Sequence, residues 1–358
     1  MTTRRRFLAS LLAAGTAPHL GWAAAGSPTY LAAAREPDGS FALFGLSEAG
    51  EETFRIPLPA RGHAGAGHPR RAEAVAFARR PGTFALVFDC ARGEIRHRLT
   101  PPEGRQFNGH GVYLQSGRLL ATSEQKSDDS TGLIGFWDAE QDYRRVGEAP
   151  SHGIGPHDLR LMPDGKTLVI ANGGIATDPT DRRKLNIDTM RPNLAYLSTE
   201  GTLLEIRELA PDLAQNSIRH LALRSDGLVG FAMQWEGEPG AATPLLGLHR
   251  QGNAPILAPA PLAEELAMKG YAGSIAFNGD GTEIALTSPR GGRMHRFSAE
   301  GTFLGAIKRS DICGLASHQA GLIASDGLGG LIRVSRETAT PLARMDRAWD
   351  NHIVHLAG

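Results

Sequence analysis

Short runs in which apolar and polar residues alternate, each broken by a tight turn and followed by a second apolar run, recur along the whole chain. A period of two marks a half-buried strand, and Asp-Gly or Ser-Gly between two such runs marks a hairpin, because both turn residues need positive φ. His110-Gly111-Val112-Tyr113-Leu114 turns at Ser116-Gly117 and ends at Glu124. His157-Asp158-Leu159-Arg160-Leu161 turns at Asp164-Gly165 and ends at Asn172. His220-Leu221-Ala222-Leu223 turns at Asp226-Gly227 and ends at Gln234, and Ser274-Ile275-Ala276-Phe277 turns at Asp280-Gly281 and ends at Ser288. Cys313-Gly314-Leu315-Ala316 runs on to Asp326. Ala74-Val75-Ala76-Phe77 turns at Pro81-Gly82 into Phe84–Phe88 and ends at Asp89, which reads as the opening hairpin of one more unit.

The last apolar run, His352-Ile353-Val354-His355-Leu356, has no partner after it, and the matching half-unit stands at the other end, Tyr30-Leu31-Ala32-Ala33 with Phe41-Ala42-Leu43. The starts lie about 36 to 63 residues apart, close to the spacing of four-stranded blades. The pattern predicts an all-β fold, a seven-bladed β-propeller closed by pairing of the C-terminal strand with the N-terminal blade. Closure removes the free sheet edge that invites aggregation. One stretch breaks the spacing: Gly173 to Leu213, with Leu185-Asn186-Ile187-Asp188-Thr189-Met190 inside it, reads as a long loop insertion before a strand at Leu194–Leu197.

The N-terminus follows another rule. Thr3-Arg4-Arg5-Arg6-Phe7-Leu8, an apolar run to about Ala17, and Ala23-Ala24-Ala25 have the basic, apolar and small-residue parts of a twin-arginine export signal. The reading is a leader over 1–25 and a propeller domain over 26–358, exported folded to the periplasm. The apolar run is too short to span a bilayer, and no later segment is longer, so no membrane span is expected in the mature protein.

Composition narrows the classes. Without the three arginines of the leader, 35 basic residues face 38 acidic ones, so nothing draws a phosphate backbone and nucleic acid is excluded as a partner. Two cysteines, Cys90 and Cys313, make no disulfide framework, although one bridge is allowed. No Gly-x-Ser-x-Gly elbow, haem-attachment motif or phosphate loop occurs.

The candidate chemistry lies in the repeat itself. In a propeller the residues that open the first strands meet those that close the second strands at one face of the channel. Here the openers include His110, His157, His220 and His352, four of thirteen histidines at one repeat position. The closers include Glu124, Asn172, Gln234 and Asp326, with Arg219 and Arg290 beside the same positions. Imidazoles converging with a carboxylate are ligands for iron, copper or zinc. The expected metal ligands are therefore His110, His157, His220, His352 and Glu124, with Asn172, Arg219, Gln234, Arg290 and Asp326 as supporting groups. Asp158, Arg219, Asn216, Asp350 and Asn351 stand where they could fix ring tautomers. A mixed set of histidines and a carboxylate suits divalent iron or zinc, whereas reduced copper would want more sulfur than Cys313 and a few methionines supply. Two other readings of the same residues stand beside this one: histidines that brace each blade, and a metal-free polar pocket. His63 and His68 lie in a Gly-rich stretch before the second unit and could reach the channel mouth.

Several stretches together resemble the bacterial family known as domain of unknown function 1513. They are Gly109–Val112, Gly155–Leu161, Ala171–Ile175, Leu185–Met190, Ser217–Ala222 and Ser288–Gly292. The resemblance implies an exported propeller encoded near imelysin-like iron-regulated proteins and a c-type-haem protein, and hence periplasmic iron handling. Binding or delivery of iron is the expected function. A metal-dependent hydrolase or oxidoreductase, and a metal-free platform for an imelysin-like or haem-protein partner, are the alternatives.

Overall fold

The computed structural model describes residues 20–79, 82–181, 183–336 and 338–356. Among these, seven four-stranded antiparallel sheets form the blades of a closed propeller. The inner strands of blades 2 to 7 are Gly62–Gly67, Arg105–Leu114, Pro156–Leu161, Asn216–Leu223, Ser274–Phe277 and Ile312–His318. Blade 1 takes its inner strand from the C-terminus: Ala348–His355 pairs with Tyr30–Arg35, which continues to Phe41–Leu46 and Glu52–Leu58. The expected closure is what the chain does. Most of the leader expected over 1–25 lies outside the described residues; within them, Trp22–Ala25 forms a 3-10 turn whose Trp22 Nε1 donates to the His68 carbonyl at 2.9 Å.

The alternation in the sequence becomes two buried faces per blade, because each blade packs between two neighbours. Leu114, Ile134 and Phe136 of blade 3 meet Leu168, Ile170 and Leu197 of blade 4, and a cluster of the same kind fills each of the other six gaps around the ring. Burial of these side chains at about 1.5–3 kcal/mol each is the main stabilising term. Cys90 and Cys313 are free and buried in different clusters, so the allowed bridge is absent.

Blade 2 departs from the expectation. Ala74–Phe77 and Phe84–Phe88 belong to its second and third strands, Glu73–Ala78 and Ala85–Asp89, and the inner strand is Gly62–Gly67. Its Gly-His-Ala-Gly-Ala-Gly sequence has no apolar alternation, because the site has no room for it. A Cβ on Gly62 would lie 3.1 Å from Ala33 Cβ, and one on Gly67 only 2.0 Å from Leu356 Cδ2. Asp89 consequently ends a third strand, away from the channel, and His63 moves onto the channel wall.

The long insertion of blade 4 joins its second strand to Asn193–Ser198. Asn186 holds it folded, accepting from the Ala176 amide at 2.7 Å and donating to the Gly174 carbonyl at 2.9 Å, while Met190 is buried beneath.

Candidate metal centre

Strict alternation would send successive inner-strand side chains to opposite faces, so a regular strand could not choose freely which residue enters the channel. Bulges make that choice here. The ladder shifts register between Gly62 and Gly65, between Phe107 and Gly111, between Pro156 and Asp158, between Ile218 and His220, and opposite Ala32–Ala34 where His352 sits. An extra residue re-aims the side chains beside it. His63, His110, His157, His220 and His352 stand within or at the edge of these five irregularities, and their rings converge.

The rings of His63, His157, His220 and His352 form a closed square, with centroids 5.3, 4.7, 4.9 and 4.7 Å apart around it. His110 lies 5.0 to 5.9 Å from all four. Close approach needs glycine: a Cβ on Gly109, whose φ is +97°, would fall 2.5 Å from His63 Cδ2. One ring nitrogen from each of His110, His157 and His220 can be chosen so that all lie within 4.8 Å of one another, and the same holds for His63, His110 and His352. His110, His157, His220 and His352 are 3–7% exposed, so the cluster lies inside the channel, below the rim expected from the strand starts.

The electrostatics favour neutral, lone-pair-bearing rings. Burial, then the neighbouring imidazoles, hold His63, His157 and His352 well below the ordinary histidine range, and burial brings His220 to about 3. Asp158 supplies the nearby carboxylate. Its Oδ1 lies 3.1 Å from His110 Nδ1, and its Oδ2 accepts the Leu221 amide at 3.0 Å. Burial opposes its charge, but Arg160 and His110 more than offset this and keep the carboxyl below its usual range. With Nδ1–H given to Asp158, His110 presents Nε2 to the channel. That atom, His157 Nδ1, His220 Nδ1 and His352 Nε2 are all buried without a protein hydrogen-bond partner. A buried polar atom left unpaired costs about 1–3 kcal/mol, so four in one cluster point to a ligand that satisfies them together.

The other expected ligand stands elsewhere. Glu124 accepts from Thr122 Oγ1 at 2.6 Å and from Arg145 Nη1 at 2.8 Å, facing the outer strands of blade 3. Side chains on its second strand alternate, and Glu124 falls on the side turned away from the histidines. Breaking a buried ion pair typically costs about 3–5 kcal/mol. Glu124→Ala should therefore lower the urea midpoint markedly while leaving metal content unchanged, and elemental analysis beside the denaturation curve checks both.

The supporting groups are likewise engaged in local contacts. Asn172 bonds Ser151 and Asn193, Gln234 Nε2 donates to the Ala272 carbonyl at 3.0 Å, and Asp326 accepts from Arg309 and from the Leu328 and Gly330 amides. Arg290 lies over the Tyr271 ring at 4.3 Å, and Arg219 Nη2 is 3.8 Å from Glu236. Of the groups named for fixing tautomers, Asp158 reaches a ring; Asp350 pairs with Arg61, and Asn351 bonds Tyr271. Outside the cluster, His249 bonds Tyr196, His295 pairs with Glu264 and His318 bonds Tyr30.

A seven-bladed propeller whose channel is lined by five converging histidines is the class these observations define. The chain belongs to the family described as Protein of unknown function (DUF1513), whose family model matches residues 56–356. No curated protein matches it. Among solved structures it is similar to Kuenenia stuttgartiensis Hydrazine Synthase, with a TM-score of 0.60 and 12% identity, over 89% of this chain and 96% of that one. At that identity the likeness is one of fold.

Proposed function

We propose that the protein binds one transition-metal ion in its channel through the five-histidine cluster and serves periplasmic iron handling after folded export by the twin-arginine route. The observation that carries the metal reading is the group of four buried ring nitrogens without protein partners, on rings that belong to two ligating triads sharing His110: His63/His110/His352 and His110/His157/His220. Neutral imidazole suits iron, copper, nickel and zinc. Thiolate does not enter, since Cys313 Sγ contacts Ser325 and the Asp350 carbonyl and burial pushes its thiol up to about 12, which disfavours reduced copper. Iron is preferred on the resemblance of the chain to a family associated with iron-regulated neighbours. Asp158 would act as the orienting carboxylate behind His110, fixing its tautomer and raising its basicity.

Isothermal titration of apo-protein with ferrous iron under anaerobic conditions, and with zinc, tests this. One ion should bind per chain, and Asp158→Asn should weaken it about 10- to 100-fold, the usual cost of losing such a partner. Absence of binding by either ion would sink the metal reading and leave the platform alternative. One feature favours the metal-dependent hydrolase or oxidoreductase alternative over simple storage: a void beside the cluster shares its walls with a wide funnel, so a coordination position could be reached by a small molecule.

A further inference from the structure

The channel has two unlike ends. The inner strands ring it, with His63 and His157 near the starts of their strands and His110, His220 and His352 about midway along theirs. Their far ends, at Leu161, Leu223, Phe277 and His355, open into a funnel of about 980 Å³. Between funnel and cluster lies a void of only about 30 Å³, whose polar lining is His110, His220, His352, Ser274, Arg160 and the carboxylate of Asp158. The throat walls common to the void and the funnel are apolar apart from Arg160: Leu221, Ile275, Leu315, Ile353 and Val354.

Arg160 is the one charged side chain that lines both spaces. Its side chain is 39% exposed, and its contact with Asp158 is a single long one, Nη2 to Oδ2 at 3.4 Å. Its Nε is buried without a hydrogen-bond partner. Asp158 is already divided between His110 and the Leu221 amide, so it does not take the guanidinium in a two-pronged pair. Donors are thus left over at the throat, and they face the space next to three histidines.

We infer that the void is a subsite for a small anion of one to three heavy atoms, which reaches the ion through the funnel, takes a coordination position and is held at its outer end by Arg160. This rests on the metal reading above. The charge balance selects the sign: neutral imidazoles and one committed carboxylate leave a divalent ion and Arg160 with net positive charge inside low-dielectric walls, which attracts anions and repels cations. The void limits the size: at about 30 Å³ it takes one water-sized group beside the ion, so the rest of a two- or three-atom anion extends toward Arg160 and the funnel. A guanidinium presents planar paired donors suited to a carboxylate-like or triatomic anion.

The test uses the full mature protein loaded with cupric ion, with azide as the probe and metal content measured first. Azide should produce a ligand-to-metal charge-transfer band that saturates. Arg160→Leu should keep the copper and weaken azide at least tenfold, and Arg160→Lys should recover part of the loss. Equal azide affinity in the three proteins, or copper bound with no azide band in the wild type, would overturn the anion subsite and leave the metal reading standing. Failure of the wild type to hold copper after reconstitution would overturn both.

Discussion

Apo-protein should lose stability steeply as the pH falls below about 6.5, far more steeply than an ordinary domain with thirteen histidines. Burial is the largest cause of depression for His157, His220 and His352, with neighbouring imidazoles adding to it, and His220 falls to about 3. In the unfolded chain the same rings take up protons near pH 6.5. The unfolded state therefore binds more protons throughout the window from about 6.5 downward to the folded values, and stability is present above that window and lost as the pH falls. Each ring contributes about 1.4 kcal/mol per pH unit within it, so three together give about 4 kcal/mol per unit. Against a typical total of about 5–15 kcal/mol, unfolding is expected within two to three pH units. Urea midpoints measured from pH 7.5 to 4.5 check this, and His157→Gln/His220→Gln should flatten the curve by more than half. Bound metal should shift the fall to lower pH, because protons must then displace it. A stability that stays constant across this range would contradict neutral, desolvated rings.

Ending the chain at Met345 should abolish the soluble monomer. The lost segment supplies the inner strand of blade 1 and the buried side chains of Trp349, Ile353 and Leu356, at 4%, 6% and 8% exposure. Trp349 and Ile353 fill the gap between blades 7 and 1, and Leu356 the gap between blades 1 and 2. Removing three such side chains costs about 7–15 kcal/mol by core-truncation experience, comparable to the whole stability of a domain. The Tyr30–Arg35 strand is then left as an open apolar edge, a template for aggregation. Size-exclusion chromatography and far-ultraviolet circular dichroism of the shortened chain should show aggregate or unfolded protein. A monomer with a native melting temperature would mean that closure by the last strand matters little.

The hairpins of blades 3 to 6 were legible because their Asp-Gly and Ser-Gly turns stand between runs that alternate as pleated strands must, and blade 7 followed from its two apolar runs, Cys313–Ala316 and Gly321–Ala324. Closure was legible from the unpartnered His352–Leu356 run. Blade 2 was not, since its inner strand is so crowded that only glycine and alanine fit around His63, and a run of small residues carries no periodicity. His110, His157, His220 and His352 could be grouped from a shared repeat position, but the bulges that aim them leave no mark in the sequence pattern. The carboxylates show the limit most clearly. Glu124 closes a second strand as expected, yet its side chain turns outward to Arg145, whereas Asp158, adjacent to His157, reaches back to the ring of His110. Which of two neighbouring acids meets the cluster depends on a one-residue shift of register, and only the folded ladder decides it.

The most direct test of the central claim is metal-edge X-ray absorption on untagged protein, with its metal content measured, beside a His157→Ala/His220→Ala variant shown to be folded. The account predicts near one ion per chain and a first shell of nitrogen at about 2.0–2.1 Å for zinc, with outer scattering from imidazole, lost in the variant. An ion held equally by the variant, a sulfur-dominated shell, or no ion in the wild type even after reconstitution with ferrous iron, zinc and copper would contradict it.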